Sequence, residues 1–214
     1  IKVANNSCII GSACTANDIM NSQLINDVIP DIKDYFKLIS SEPIRNMGTL
    51  AGNIMNASPI ADLSIFFLAL NTNIQLNDGK NKRVFPLKDF FVGYKTLNIN
   101  PNEFIESVSF DIPNNEFKFN FEKVSKRTHL DIASVNTAIY LNLNSDSIIE
   151  CSLSAGGVSP VPLYLKNTSE YLAGKQITNS VIIKANTIMQ EEIAPISDIR
   201  GSSDCKRLLL RQLL

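Results

Sequence analysis

The stretch RNMGTLAGNIMNASPIADLSIFFLAL, residues 45–70, ends in the longest apolar run of the chain, LSIFFLAL. Such a run has to be covered by the rest of the chain, because leaving it in water forfeits the main driving force of folding. It is far shorter than the roughly 20 residues that cross a bilayer. It therefore reads as a core helix, and no transmembrane anchor is expected. What precedes it is unusual in another way. Gly48 and Gly52, four positions apart, bracket a tight turn, and Thr49, Asn53, Asn56 and Ser58 crowd hydrogen-bonding groups around it. A cradle for a phosphorylated cofactor and a plain turn with a good cap both account for this pattern.

The chain has 214 residues, 44% hydrophobic and 19% charged, enough for one sizeable core or two modest ones. Its 20 basic and 21 acidic residues are spread without long runs. Nothing in that balance suggests a nucleic acid or an acidic membrane surface as partner. The opening IKVANNSCII lacks the basic start and small-residue cleavage site of a signal peptide. The expectation is a cytoplasmic chain that begins partway through a gene product. Cys8, Cys14, Cys151 and Cys205 form no C-x-x-C pair and read as free thiols in a reducing compartment. The lone His129 cannot build a three-histidine metal site, and no G-x-S-x-G elbow is present.

Along the chain, CIIGSACTANDIMNSQ reads as a strand, a glycine turn and a helix capped by Thr15 with Asp18 in its first turn. Pro30 interrupts the helical pattern, which resumes in DIKDYFKLIS. NIQLNDGKNKRVFPL has the form of a hairpin turning at Asp78-Gly79. In EFIESVSFDIP, Phe104, Glu106, Val108, Phe110 and Ile112 share one strand register. The polar PNNEFKFN then offers the best boundary, dividing a unit of residues 1–113 from one of 114–214. The second unit opens with an antiparallel pair joined at NSDS and continues with three helical patterns. The last, SDCKRLLLRQLL, is expected to start at Ser202 or Ser203 and to place Lys206, Arg207 and Arg211 opposite its leucines. Strands followed by helices make the class α+β.

In the glycine stretch, Thr49 and Asn53 can donate to phosphate or hydroxyl oxygens. A helix starting at Ser58, with Pro59 at its first position, would add free N–H groups. Asp62 would sit in its first turn, where a carboxylate suits the helix dipole and can accept from a ribityl or ribose hydroxyl. The stretch is neither G-x-G-x-x-G nor a Walker loop.

IRNMGTLAGNIMNASPIADL closely resembles the flavin-binding signature of the medium, FAD-carrying subunit of the molybdenum hydroxylases, the xanthine dehydrogenase and carbon monoxide dehydrogenase family. LKDFFVGYKTLNINPNEFI, FEKVSKRTHLDIASVNTAI, SLSAGGVSPVPLYLKNTSEYLAGK and EEIAPISDIRGSSDCKRLLLRQLL resemble successive landmarks of the same family, in order. The resemblance implies two domains. The larger part of an FAD-binding domain of the vanillyl-alcohol-oxidase-like type comes first, and an α+β domain with an antiparallel sheet and helices follows.

It also implies a function. A molybdopterin-binding partner subunit oxidises substrate, a partner with 2Fe-2S clusters relays electrons, and FAD on this chain delivers them to NAD⁺ or another acceptor. The family's flavin loop falls on Thr49, Leu50, Ala51, Gly52 and Asn53, with Asp62 as the polar contact from the following helix. Ala51 stands where family members often carry a second glycine. Ile99 matches an apolar position against the isoalloxazine. Lys123 matches a basic residue near the flavin, where a cation would favour negative charge on the reduced ring; a solvated lysine on a strand edge is the plainer alternative. Family members begin with a lobe whose Gly-rich loop binds the FAD pyrophosphate, and nothing ahead of IKVANNSCIIGSACT matches it. A chain without that lobe is expected to purify colourless or with substoichiometric flavin. The competing function is a scaffold module of the same complex that no longer binds FAD. A stand-alone NAD-dependent dehydrogenase is disfavoured, because no nucleotide-binding βαβ fingerprint is found.

Overall fold

The computed structural model describes residues 1–113 and 117–214, and the boundary expected near residue 114 lies outside the described residues. The first part of the chain runs through β1 (Lys2–Ala4), β2 (Ser7–Gly11), α1 (Ala16–Asn21), α2 (Gln23–Val28), α3 (Ile32–Lys37), α4 (Glu42–Met47), α5 (Leu50–Met55) and α6 (Asp62–Ala69). β3 (Asn73–Asn77), β4 (Lys82–Pro86), β5 (Phe91–Gly93), β6 (Thr96–Leu97) and β7 (Phe104–Asp111) follow. The second part contains β8 (Phe117–Val124), β9 (Val135–Asn144), β10 (Ser147–Gly156), β11 (Leu163–Tyr164), α7 (Lys166–Leu172), α8 (Asn179–Glu192) and α9 (Ser203–Leu213). A five-stranded antiparallel sheet has the order β1-β2-β7-β3-β4, and a four-stranded one the order β11-β10-β9-β8. The class is α+β, as expected.

Helix α6 lies between the two sheets. Every residue from Leu63 to Ala69 is buried, and all but Ser64 are apolar, so the helix has no solvent face along that stretch. On one side the Phe67 ring meets Phe110 of β7, with centroids 6.3 Å apart. On the other, Phe66 meets Phe119 and Phe121 of β8 at 4.7 and 5.9 Å. One apolar cluster therefore runs from Cys8 and Ile74 in the first sheet to Ala138 and Tyr140 in the second. No helix among the described residues is long and apolar enough to cross a membrane.

Several local expectations hold. Thr15 and Asp18 form a reciprocal capping box at α1, with Thr15 Oγ1 accepting from Asp18 N at 3.1 Å and Thr15 N donating to Asp18 Oδ2 at 2.8 Å. The β3–β4 hairpin turns at Asp78-Gly79, where glycine adopts φ +89°. The cap of α9 is Ser202, whose Oγ accepts from Cys205 N.

Others are corrected. The segment FKFN is not linker: it opens β8, which pairs with β9 along its whole length. A register shift opposite Gln75 and Leu76 breaks the alternation of β7. Ile105 consequently turns inward with Val108 and Phe110, while Phe104 points out and is 52% exposed. Of the cations of α9 Arg211 is exposed, Arg207 is half-buried and donates to Gln190 O and Ile193 O, and Lys206 does not face solvent at all. Its ammonium is buried, donating to Asp198 Oδ2 at 2.7 Å and Ile196 O at 3.0 Å.

Because both sheets close on one helix, Phe66→Ala is expected to cost about 3–5 kcal/mol. Urea unfolding followed by far-ultraviolet dichroism and by tyrosine fluorescence should give one coincident transition in the wild-type chain. Thiol accessibility gives a second check. Burial pushes Cys8 up to about 11 and Cys151 up to about 12, while Cys205 is exposed and Cys14 half-buried. A thiol-specific reagent at neutral pH should modify Cys205 and Cys14 in the native chain, and Cys8 and Cys151 only after unfolding.

Candidate functional site

The glycine stretch folds into two short helices rather than an open turn. Gly48 caps the C-terminus of α4 at φ −71°, and Gly52 lies inside α5. Neither has positive φ, which among the described glycines belongs to Gly79, Gly157, Gly174 and Gly201. Their smallness serves close approach instead. A Cβ at Gly48 would lie 3.1 Å from Ile44 O, and one at Gly52 would lie 2.9 Å from Thr49 Oγ1.

The main-chain amides here are already engaged. Leu50 N donates to Cys14 O at 2.9 Å and Ala51 N to Ser12 O at 3.3 Å. Gly52 N donates to Thr49 Oγ1 at 3.1 Å, and Asn53 N to Thr49 O at 3.0 Å. What remains to meet a ligand is side-chain chemistry. A cleft of about 340 Å³ is lined by Arg45, Gly48, Thr49, Gly52, Asn53 and Leu63 among others, and none of its lining residues is acidic. A shallower cleft of about 380 Å³ on the far side of α5 takes in Thr49, Ala51 and Gly52 with Met55 and Glu103. Leu50 faces neither, being fully buried in the core.

The helix that follows starts later than the Ser58-Pro59 pair suggests. Residues 58–61 form a turn, and α6 begins at Asp62 with Ala61 as its N-cap. Its missing cap is supplied from α5: Asn53 Oδ1 accepts from both the backbone N and the hydroxyl of Ser64, each at 3.1 Å. That fixes the Asn53 amide, with its NH₂ group turned away from Ser64.

Asp62, Lys123 and Asn136 come together at the base of α6. Lys123 Nζ donates to Asp62 Oδ2 and to Leu38 O, both at 2.8 Å. Asn136 Nδ2 donates to Asp62 Oδ1 at 2.6 Å. Lys123 belongs to the edge strand β8, yet its side chain is 2% exposed and that of Asp62 13%. The solvated-lysine alternative is therefore wrong: the cation is buried and paired. Burial pushes the Asp62 carboxyl upward from the ordinary range, against the pull of Lys123 and Asn136. The network needs a glycine as its neighbour, since a Cβ at Gly156 would stand 2.1 Å from Asn136 Oδ1. Ile99 lies elsewhere. It is half-buried against the main apolar cluster and lines neither cleft beside α5.

Two members of this constellation escape a reading of the residues. Arg45 stands just ahead of the glycine stretch, and Asn136 occupies a buried register of β9, where a polar residue in an apolar strand face is the signal that was there to use. A third cleft, of about 440 Å³ and largely apolar, opens beyond the network between Ile60, Tyr94, Ser134, Gly157 and Arg200.

The donor set fits a phosphorylated flavin through its side chains: a guanidinium, a hydroxyl and a carboxamide surround a cleft without a carboxylate. The two-sheet scaffold with its shared helix and this donor-lined cleft define a cofactor-binding class of protein. The comparisons agree. Residues 1–114 match the FAD binding domain in molybdopterin dehydrogenase, and residues 121–214 match the CO dehydrogenase flavoprotein C-terminal domain. The chain is 27% identical over 213 residues to the glyceraldehyde dehydrogenase medium chain of Sulfolobus acidocaldarius, covering 100% of this chain and 75% of that one. It is 24% identical over 204 residues to the carbon monoxide dehydrogenase medium chain of Afipia carboxidovorans, covering 95% and 70%. The crystal structure of a cyanide-inactivated Cu,Mo-CO dehydrogenase superposes with a TM-score of 0.93 at 22% identity, over 99% of this chain and 74% of that one. The chain belongs to the FAD-binding medium-subunit family of the molybdenum hydroxylases, the flavoprotein components of molybdenum-dependent oxidoreductases.

The buried pair yields a stability test. Asp62→Ala leaves Lys123 buried without a counter-charge and should cost about 3–5 kcal/mol in urea unfolding. Asp62→Leu combined with Lys123→Met should recover most of that loss, because a filled apolar site replaces both charges.

Proposed function

We propose that this chain binds FAD along the α4–α6 wall and passes electrons from an iron–sulfur partner subunit, through the flavin, to NAD⁺ or another acceptor. The oxidising partner in that assembly is a molybdopterin-binding subunit, and the complex works in the cytoplasm, where the four free thiols stay reduced. One observation carries the reading. A family match to a flavin domain coincides with a carboxylate-free cleft whose wall presents Arg45, Thr49 and Asn53. When bound, FAD supplies one-electron exchange with metal clusters and two-electron exchange with a nicotinamide. The chain's own residues bind and orient. The Thr49 hydroxyl and the Asn53 NH₂ are the donors of the loop, Gly52 keeps the approach open, and Ala51 meets the ligand from the other side of α5. Asp62 and Lys123 act as a neutral pair, in which the carboxylate tempers the field of the ammonium at the base of the site. Ile99 supplies apolar surface on the β5–β6 side. The second domain serves structure and interface.

The scaffold alternative has an observation of its own, since the amides of residues 50–53 are all bonded within the chain. FAD titration separates the two. Saturable quenching of flavin fluorescence, with about 2.7 kcal/mol of stabilisation at a hundredfold excess over Kd, should raise the melting temperature by roughly 5–10 °C. No response at millimolar FAD would favour the scaffold. Asn53→Asp sharpens the test, because a carboxylate still accepts from Ser64 and preserves the cap of α6 while replacing the NH₂ donor with negative charge. It should fold normally and lose FAD.

A further inference from the structure

At the opposite end of α6 from Asp62, about 12 Å along the helix axis, another cleft of about 430 Å³ opens, with residues of both domains in its lining. Asp111 of β7, Tyr140 and Asn142 of β9, Glu150 of β10 and Asn71 contribute to it, and none of its lining residues is basic. Asn142 stands opposite Glu150 in the β9–β10 ladder and Tyr140 is two residues away, so the three share one face of the sheet. The C-terminal end of α6, which carries partial negative charge, adjoins the cleft through Leu70 and Asn71.

Two carboxylates alone would not make a site, but Tyr140 adds an independent sign. It is 9% exposed, its ring packs against Phe117 with centroids 5.4 Å apart, and its hydroxyl makes no hydrogen bond among the described residues. That hydroxyl is not sealed in, and the cleft is its outlet. Leaving it unmet carries a desolvation cost that phenylalanine would avoid. Asn142 Oδ1 is buried and has no partner either. The carboxylates are each held by one oxygen: Asp111 Oδ1 accepts from Ser7 Oγ at 2.6 Å, and Glu150 Oε1 from Asn71 Nδ2 at 3.2 Å. Asp111 Oδ2 and Glu150 Oε2 accept no hydrogen bond among the described residues.

The cleft thus offers a surplus of oxygen acceptors and net negative charge. A bare metal ion matches it poorly, since among the described residues no three His, Cys, Asp or Glu side chains are grouped as ligands. A guanidinium is the complement, with five N–H donors in a planar fork, no acceptor and a permanent charge. We propose that this cleft binds a guanidinium group, Glu150 and Asp111 pairing with its charge and the oxygens of Tyr140 and Asn142 accepting from its other N–H groups. The site lies apart from the α4–α6 wall and does not rest on the flavin reading.

Isothermal titration of the 214-residue chain tests this, with propylguanidinium, N-acetylarginine amide, n-butylammonium and calcium as probes. Propylguanidinium should bind saturably to the wild type and more weakly in added salt. Glu150→Gln and Asp111→Asn, which keep the shape and remove the charge, should each weaken it about tenfold, and Tyr140→Phe several-fold. Glu150 and Asp111 are exposed, so those variants should melt with the wild type. Tyr140→Phe should melt no lower, because the hydroxyl it removes has no partner. N-acetylarginine amide bound as tightly as propylguanidinium would assign the group to an arginine side chain on a polypeptide, and its exclusion would assign it to a free guanidino compound. Wild-type affinity in both Glu150→Gln and Tyr140→Phe would overturn the proposal. So would n-butylammonium or calcium bound as tightly as propylguanidinium, or no binding of propylguanidinium and N-acetylarginine amide at millimolar concentration.

Discussion

Helix α6 has a sheet on each side and no face left for water, and most of the molecule is arranged around that fact. Apart from Ser64, its side chains from Leu63 to Ala69 are apolar, so most polar groups near it come from elsewhere: Thr72 Oγ1 donates to Phe67 O at 2.7 Å and Ser154 Oγ to Ile65 O at 2.6 Å. Buried carbonyls that accept such bonds avoid the cost of an unmet acceptor. The N-terminus of the helix is different. There the chain emerges from the core, and Asp62 meets Lys123 of β8 and Asn136 of β9 across the junction between the two domains. The place of the candidate site thus follows from where a buried, almost wholly apolar helix has to end.

The residues at that end do two jobs. Thr49 caps α5, Asn53 caps α6, and Asp62 neutralises a buried lysine. Each function fixes a side chain in one rotamer, which is what a binding site needs of its walls. The same engagement removes the main-chain amides of the loop from ligand recognition and shifts that task to groups with donors left over. A buried ion pair adds little net stability against an apolar substitute, while breaking it is costly. Its value here is geometric, since it holds β8 against the base of α6.

Much of the fold was legible from residue pattern. The capping box at Thr15, the Asp78-Gly79 hairpin and the β9–β10 pair depend on short-range chemistry that a sequence displays directly. β8 was not, because FKFNFEKV mixes apolar and charged residues and its inward face is set by α6, which is distant in sequence. The late start of α6 was missed for a similar reason. Ser58-Pro59 is a good local start signal, but the cap came from Asn53, eleven residues before Ser64, and no local rule anticipates it. Of the site, Thr49, Gly52, Asn53 and Asp62 are readable from the residues as well as from the family resemblance, and Lys123 from the resemblance alone. The pairing of Asp62 with Lys123, 61 residues apart, is a property of the fold.

That pairing also sets the relation between the clefts. From Leu38 O the bonds run through Lys123, Asp62 and Asn136 to Ile60 O, the last at 3.4 Å. Ile39 and Leu63, next to the first links of this chain, line the donor-rich cleft, while Ile60 and Ser134, at its other end, line the largely apolar one. A single hydrogen-bonded series with charge at its centre thus links residues that adjoin or line the two clefts. Moving either wall by more than a fraction of an ångström lengthens a charge-assisted bond in a buried setting, where such bonds are strongest and their loss most costly. Gly156 and Gly157 leave no slack on the apolar side, where added Cβ atoms would fall 2.1 Å from Asn136 Oδ1 and 2.4 Å from Ser134 O. The base of α6 is accordingly a stiff junction, with residues adjoining one cleft on its Leu38–Leu63 side and residues lining the other on its Ile60–Ser134 side.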